Sequence, residues 1–201
     1  GPLTETAHSI DARFGKMSGN GLTHIRSTKG DILVGSETTG EDQEIKARYK
    51  QYALSDFLVS IRNGAYAASS DAIIFDSAAH IFIDFGELYA GGQLFLTAIQ
   101  DIRNLASKIW CGQPARVQAS RYLHTRKPAL SKNWDISCDG YHSHWMHIPG
   151  SRQALFESLG TIEFYVQNLY NFSSTIRSGN KLLINKSELK SEASGYVGES
   201  M

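Results

Sequence analysis

The sequence has little cysteine and no long hydrophobic run, and each scarcity excludes a class of protein. Only two cysteines, Cys111 and Cys138, occur among 201 residues. Two cysteines are too few for a disulfide scaffold and favour free thiols in an intracellular, reducing compartment. No apolar stretch approaches the roughly 20 residues that a transmembrane helix needs, and the first residues lack the order of a secretory signal. We therefore expect an intracellular protein without a transmembrane segment.

Motifs for nucleotide and acyl chemistry are also missing. Gly86, Gly91 and Gly92 match neither a dinucleotide-binding fingerprint nor a phosphate loop. No serine stands in the G-x-S-x-G turn of hydrolases. Cys111 lies near the end of a predicted helix, whereas a nucleophilic cysteine favours a helix N-terminus or a neighbouring base. The sequence therefore predicts no cofactor and a structural role for Cys111.

Acidic residues are absent from the whole stretch between Ile102 and Trp134, which contains seven bases. Residues 36–101 hold ten acids against four bases, so a net charge of −6 is followed by one of +7. Such a separation favours an anionic partner, either nucleic acid or an anionic membrane, or self-association of opposite patches. Internal compensation by an acidic helix is the alternative. The residues predicted to contact the partner are Arg116, Arg121, Tyr122, Arg126, Lys127 and Lys132.

The spacing of apolar residues predicts two main helices, over 39–64 and 93–111. Alternating and apolar runs predict a hairpin over 22–36 and further strands, and no internal repeat is apparent. The further strands are 72–76, 80–85, 116–123, 161–170 and 181–184, and a short helix is predicted over 151–159. Strands and helices mix without regular alternation, so the predicted class is α+β with a mixed, mainly antiparallel sheet.

The predicted organisation is a single domain with a loose segment at each end. Residues 1–20 are predicted to be a flexible arm, and Gly1 to Leu3 is typical of the scar left by removal of a tag. Residues 21–185 form the predicted α+β domain. Residues 186–201 are polar and are predicted to form a tail.

A Trp- and His-rich hairpin is predicted over 134–148, because Asp139-Gly140 is a strong two-residue turn signal. A turn at that dipeptide places Asp135 opposite His144. It also puts Cys138 on the other face from both His142 and His144, so no metal site is predicted despite the cluster. The Asp135–His144 pair is either a solvated polar contact or a general base oriented by a carboxylate, as in a hydrolase or transferase.

Three carboxylates, Asp76, Asp84 and Glu87, follow or end predicted strands. Carboxylates at strand ends can hold magnesium for phosphoryl chemistry, and the segment resembles the strand-ending aspartate of metal-dependent nucleases. That resemblance implies a nuclease or phosphodiesterase in which the basic segment guides the substrate. The alternative is that these side chains cap turns or face solvent.

The main hypothesis is a non-enzymatic binding or assembly module that forms a homo-oligomer or contacts an anionic partner. The segment from Gly160 to Val166, GTIEFYV, resembles rhabdovirus matrix proteins after a Trp- and His-rich stretch. That resemblance implies a viral structural protein that assembles at a membrane or on nucleic acid. The alternative hypothesis is the metal-dependent nuclease or phosphodiesterase that uses Asp76, Asp84 and Glu87.

Overall fold

The fold is a solenoid of parallel β-strands that coil around one apolar interior. It is seen in a computed structural model that describes residues 1–13, 15–35, 66–126, 129–130, 135–137, 140–142, 146–147, 154–172, 174–185 and 187–188. Within those ranges every regular element is a strand. The described residues include no helix that is long and apolar enough to span a membrane.

The strands are short, and most contain four or five residues. The first twelve are β1 (Leu3–Ala7), β2 (Ile10–Arg13), β3 (Lys16–Gly19), β4 (Thr23–Ser27), β5 (Ile32–Gly35), β6 (Tyr66–Ser69), β7 (Ile73–Ser77), β8 (Ile81–Asp84), β9 (Glu87–Ala90), β10 (Leu94–Ala98), β11 (Ile102–Leu105) and β12 (Lys108–Cys111). The others are β13 (Ala115–Arg126), β14 (Ala129–Leu130), β15 (Asp135–Ser137), β16 (Gly140–His142), β17 (Met146–His147), β18 (Leu155–Ser158), β19 (Ile162–Phe172), β20 (Thr175–Ser178), β21 (Leu182–Ile184) and β22 (Ser187–Glu188).

The parallel strands form three walls, and successive coils of the chain add a strand to each. Wall 1 contains β1, β4, β7, β10, the first halves of β13 and β19, and β21. Wall 2 contains β2, β5, β8, β11 and the second halves of β13 and β19. Wall 3 contains β3, β6, β9, β12, β18 and β20. The long strands β13 and β19 bend from wall 1 into wall 2, and the register between them shifts between Ala119 and Tyr122.

A constant spacing between equivalent strands generates the coils. On wall 1, β7, β10 and β13 begin at residues 73, 94 and 115, and on wall 3, β6, β9 and β12 begin at residues 66, 87 and 108. The step from one coil to the next is therefore the same on both walls. Each coil is too thin to bury an apolar face alone, so the coils stack and share a continuous core. Stacking also places each residue beside the equivalent position of the next coil.

Alternation within each short strand decides what faces the interior. Strand β10 alternates buried and partly exposed residues, with Leu94, Leu96 and Ala98 pointing inward. In register, these positions continue through neighbouring coils as columns of buried apolar side chains. The central column of wall 1 consists of Ile25, Phe75, Leu96, Val117 and Phe164, all of them fully buried.

The corner between walls 2 and 3 turns on left-handed backbone. Gly35, Phe85 and Ala106 occupy this corner in three successive coils, with φ values of 109°, 51° and 51°. A Cβ on Gly35 would lie 1.9 Å from the carbonyl oxygen of Asp84. Glycine is therefore required at residue 35 both for its dihedral angles and for the close approach of the next coil.

Two long segments interrupt the repeat, and both leave from the corner between walls 2 and 3. Residues 36–65 lie between β5 and β6, and residues 127–154 lie between β13 and β18. The second interruption contains the antiparallel pairs β14–β17 and β15–β16. In the β15–β16 pair Asp135 lies opposite His142, so its register differs from that of the predicted hairpin, which pairs Asp135 with His144.

The predicted α+β class and mainly antiparallel sheet are wrong, because the main sheets are parallel and the described elements are strands. The helix predicted over 93–111 is instead β10, a corner, β11, another corner and β12. Leu94, Ala98 and Ile102 are all buried and lie four residues apart, because a short corner separates Ala98 from Ile102. This spacing imitates one face of a helix. The helix predicted over 39–64 lies outside the described residues.

Several predicted strands are present in the structure, whereas the predicted hairpin and short helix are not. The strands predicted over 72–76, 80–85, 116–123, 161–170 and 181–184 correspond to β7, β8, β13, β19 and β21. The predicted hairpin over 22–36 is wrong, because β4 and β5 lie in different walls and pair with other coils. The short helix predicted over 151–159 is also wrong, since Leu155–Ser158 is a strand. Residues 1–20, predicted to be an arm, contain strands β1, β2 and β3 of the first coil.

Candidate functional site

The described bases of the basic stretch, Arg103 to Arg121, are distributed around the solenoid. Arg103 lies on β11 in wall 2, Lys108 on β12 in wall 3 and Arg116 on β13 in wall 1. Arg121 lies at the next corner, between the two halves of β13. The stretch starts at Ile102 on β11 and reaches Leu123 on β13, which is the register partner of Ile102. One full coil therefore lies between these two residues, and the described bases within it are found on all three walls.

Neighbouring coils supply acidic partners for two of these arginines. Arg103 donates from Nε to the Asp84 carboxylate at 2.9 Å and also from Nη2, and the Asp84 side chain is only 1% exposed. Arg121 donates to Asp101 from Nε at 3.1 Å and from Nη2 at 2.6 Å. The partners are 19 and 20 residues apart in sequence, which is close to one coil. Charge that is separated along the sequence is therefore paired across adjacent coils.

The Asp101 carboxylate lies at the centre of a three-residue cluster. Burial raises the pKa of Asp101, but the hydrogen bonds and charge of Arg121 outweigh it and hold the pKa below its ordinary value. The Nδ1 atom of His80 lies 3.3 Å from the same carboxylate. Arg121 remains half exposed, with 52% of its side chain open to solvent. This ion pair lies at the corner between walls 1 and 2, here named the rim of wall 2.

Three rings form a contiguous group on the outer face of wall 2, here named the Tyr122 cluster: Tyr122, which follows Arg121 in the chain, His124 and Tyr170. The rings of Tyr122 and His124 stack with centroids 5.2 Å apart. The rings of His124 and Tyr170 lie 5.7 Å apart and tilted. Tyr122 and Tyr170 are among the exposed large side chains, at 42% and 36%. The rim of wall 2 thus combines exposed aromatic surface with a guanidinium group.

Arg116 has a different environment on wall 1. Its guanidinium carbon lies 4.4 Å from the centre of the Tyr165 ring, which is a cation–π distance. Glu163 lies beside Arg116 in the register of β13 and β19. Arg116 and Arg121 are therefore two separate cationic positions, one on a sheet face and one on a corner.

The three predicted metal-binding carboxylates lie on three different walls. Asp76 faces outward on wall 1, where His24 Nε2 lies 2.9 Å from its carboxylate. Asp84 is buried against Arg103 on wall 2, and Glu87 on wall 3 accepts a hydrogen bond of 3.0 Å from the Tyr89 hydroxyl. Among the described residues, no group of three His, Cys, Asp or Glu side chains is arranged to hold a metal. The structure does not bring these carboxylates together.

The remaining predicted site residues fall at or beyond the end of β13. Arg126 is the last residue of β13, and Lys127, Lys132 and His144 lie outside the described residues. The backbone of Asp135 pairs with that of His142, so the antiparallel register does not put Asp135 opposite His144.

Sequence reasoning missed two members of the Tyr122 cluster, His124 and Tyr170, and the carboxylate partners of the arginines. Tyr170 is distant from His124 in sequence but is its register partner. The missing signal was the constant spacing of equivalent strands, which stacks Asp101 beside the corner at Arg121. In the sequence that signal is broken by residues 36–65 and 127–154.

Comparisons with protein families, with curated proteins and with solved structures found no match for this chain.

Proposed function

We propose that this chain is a non-enzymatic binding module that holds an anionic partner against the rim of wall 2. The observation that carries the proposal is the Tyr122 cluster, a partly exposed group of three rings whose first member follows Arg121 at the corner. Surfaces that combine exposed rings with cations bind single-stranded nucleic acid by stacking and charge attraction. Single-stranded nucleic acid is therefore the partner that this rim fits best.

The rings supply the part of the contact that does not depend on base sequence. His124 lies between the two tyrosines, with centroid distances of 5.2 and 5.7 Å. A base that stacks on the exposed Tyr122 ring would extend this existing series of rings. Stacking of one base on an aromatic side chain contributes about 1–3 kcal/mol, so two exposed tyrosines could supply most of a modest affinity.

Arg121 supplies the positive charge at the rim. Asp101 engages its Nε and Nη2 atoms, which directs the Nη1 edge of the guanidinium away from the carboxylate. A phosphate could accept from that edge while the ion pair with Asp101 stays intact. Because Arg103 and Arg121 are both paired with acids, we expect few phosphate contacts and a shallow salt dependence.

The first test measures binding of fluorescein-labelled oligouridine by anisotropy across a salt series. We expect saturable binding whose logarithmic salt dependence has a slope near 0.7 for each phosphate engaged, with one or two phosphates engaged. The Tyr122→Ala, Tyr170→Ala double variant should weaken binding at least about tenfold. Phe95→Ala is the matched control, because it removes an outward ring from wall 1 and should leave binding unchanged.

Three results would contradict the proposal. Oligouridine could fail to bind at low salt, or the Phe95 control could lose as much affinity as the tyrosine variant. Binding could also be confined to phosphatidylserine vesicles tested in parallel, which would make the rim a lipid-binding surface. Light scattering on the same samples detects self-association, and oligomers that dissolve at high salt without any nucleic-acid binding would assign the rim to a second copy of the chain.

A further inference from the structure

A second group of aromatic residues lies on wall 3, away from the Tyr122 cluster. Tyr66 on β6, Tyr89 on β9 and Trp110 on β12 face outward on three successive coils and are all partly exposed. Tyr66 is the register partner of Glu87 and is therefore offset from the other two rings. We name Tyr89 and Trp110 the aromatic strip. Trp110 and Tyr89 are register partners, and Tyr89 is opposite Ala68 on its other side. The strip therefore follows the solenoid axis and is bordered by a residue with only a methyl side chain.

The Trp110 indole lies along the surface of wall 3. A Cβ built on Gly112 would come within 3.4 Å of the indole Cη2 atom, so the ring extends over the corner that follows β12. Trp110 is partly exposed, so part of the indole surface is open to solvent.

Paired charged and polar groups lie beside the strip. The Tyr89 hydroxyl donates to Glu87 at 3.0 Å, and the ammonium of Lys108 lies 5.4 Å from the centre of the Tyr89 ring. Further along wall 3, Arg177 donates to Glu157 at 3.4 Å. Glu157 is the register partner of Trp110 on the side away from Tyr89. These groups offer donors and acceptors beside the rings, and their two acidic and two basic side chains balance in charge. A neutral, hydroxyl-rich ligand fits this balance better than an anion does.

The Tyr89 hydroxyl remains a donor over a wide pH range. Burial raises the pKa of Tyr89, and the hydrogen bond to Glu87 raises it further. The group is therefore a neutral phenol at neutral pH.

We propose that the aromatic strip binds a linear, neutral polysaccharide that runs along the solenoid axis. Adjacent parallel strands are about 4.8 Å apart, a spacing comparable to the length of one pyranose unit in an extended glycan. Successive sugar rings can then meet successive coils, with C–H faces on Trp110 and Tyr89 and hydroxyls on the flanking pairs. Aromatic side chains with a polar handle suit such mixed contacts. This site is on a different wall from the proposed nucleic-acid rim and does not depend on it.

The test is isothermal titration of the whole chain with cellohexaose and with xylohexaose. We expect saturable binding of at least one hexaose, insensitive to salt because the ligand is uncharged. Trp110→Ala should weaken binding at least about tenfold, and Trp110→Phe should retain part of the affinity. Phe95→Ala and the Tyr122→Ala, Tyr170→Ala variant should bind the hexaose like the parent chain. Circular dichroism of each variant checks that it is folded.

Several outcomes would overturn the inference. The parent chain could bind neither hexaose, or Trp110→Ala could bind as well as the parent. The Phe95 control could lose as much affinity as Trp110→Ala does. Binding could also be restricted to heparin and vanish at high salt, which would make the ligand an anion held by charge. A chain that binds a hexaose but not oligouridine would retain this site and lose only the proposed function at the rim.

Discussion

The interior columns of wall 1 and wall 2 begin alike and end differently. In wall 1 the central column is apolar from Ile25 to Phe164 and is fully buried. In wall 2 the corresponding column starts with Val34 and Ile83 and continues as Asn104, Thr125 and Asn171. Asn104 is 0% exposed and Thr125 is 1% exposed. The same solenoid thus has one dry column and one that becomes polar halfway along.

The difference follows from where the chain leaves the solenoid. The polar half of the wall 2 column lies beside the corner at which residues 127–154 depart and return. Asn104 Nδ2 donates to the Leu155 carbonyl oxygen at 3.2 Å, and Ser174 Oγ donates to the Thr125 carbonyl oxygen at 2.7 Å. Buried backbone groups at an irregular corner need hydrogen-bond partners, and these side chains provide them. The five residues of the central column of wall 1 are apolar and make no such side-chain hydrogen bonds.

The largest expected effect concerns the dry column. Phe75→Ala removes a ring that is 0% exposed and should lower the free energy of unfolding by about 3–5 kcal/mol. Urea denaturation measures this loss. The matched change is Phe95→Ala on the neighbouring strand, where the ring faces outward and should cost less than about 1 kcal/mol. Equal losses for both variants would mean that the assigned inward and outward faces of wall 1 are wrong.

A smaller effect of opposite sign is expected in the polar column. The Thr125 Oγ1 and Asn104 Oδ1 atoms are buried with no hydrogen-bond partner among the described residues. Thr125→Val replaces that hydroxyl with a methyl group of similar size and should raise the free energy of unfolding by about 1 kcal/mol. Thr97→Val, which changes an outward residue on wall 1, should change it by less than about 0.5 kcal/mol.

Urea denaturation of the Thr125→Val variant also tests whether a water molecule lies between Thr125 and Asn104. Asn104 and Thr125 are register partners on adjacent strands, so one water molecule could bridge their oxygens. If Thr125→Val destabilises the protein instead of stabilising it, the polar column holds such a bridge and is satisfied.

Local patterns in the sequence revealed single strands but not how they stack. The strands predicted over 72–76 and 161–170 were found because inward and outward residues alternate there. Parallel stacking leaves no local mark, since the partner of Phe75 is Leu96 in the next coil. A turn signal between two strands predicts a hairpin, and the sequence offered no local reason to prefer a corner between β4 and β5.

The candidate site was predictable only where its residues are neighbours in sequence. Arg121 and Tyr122 were identified because they interleave charge and aromatic surface in one segment. Asp101, which neutralises Arg121, lies 20 residues earlier and belongs to a different predicted element. A net charge counted along the chain therefore overstated the charge available to a partner, because coils bring opposite charges side by side.

The smallest expected effect concerns this outer ion pair and is seen in the pH dependence of stability. The pKa of Asp101 is lowered in the folded chain by Arg121, against the raising effect of burial. A carboxyl with a lowered folded pKa stabilises the fold above its unfolded pKa, near 3.9, and this stabilisation is lost as the pH falls through the folded pKa. Asp101→Asn should therefore lower the melting temperature at neutral pH, and this loss should shrink as the pH falls below the unfolded pKa. When Arg121→Gln is added to Asp101→Asn, the difference in melting temperature between neutral and acid pH should not change further. If the double variant loses as much melting temperature on acidification as the parent chain does, another carboxyl causes the pH dependence. The ion pair between Arg121 and Asp101 then contributes nothing measurable to stability.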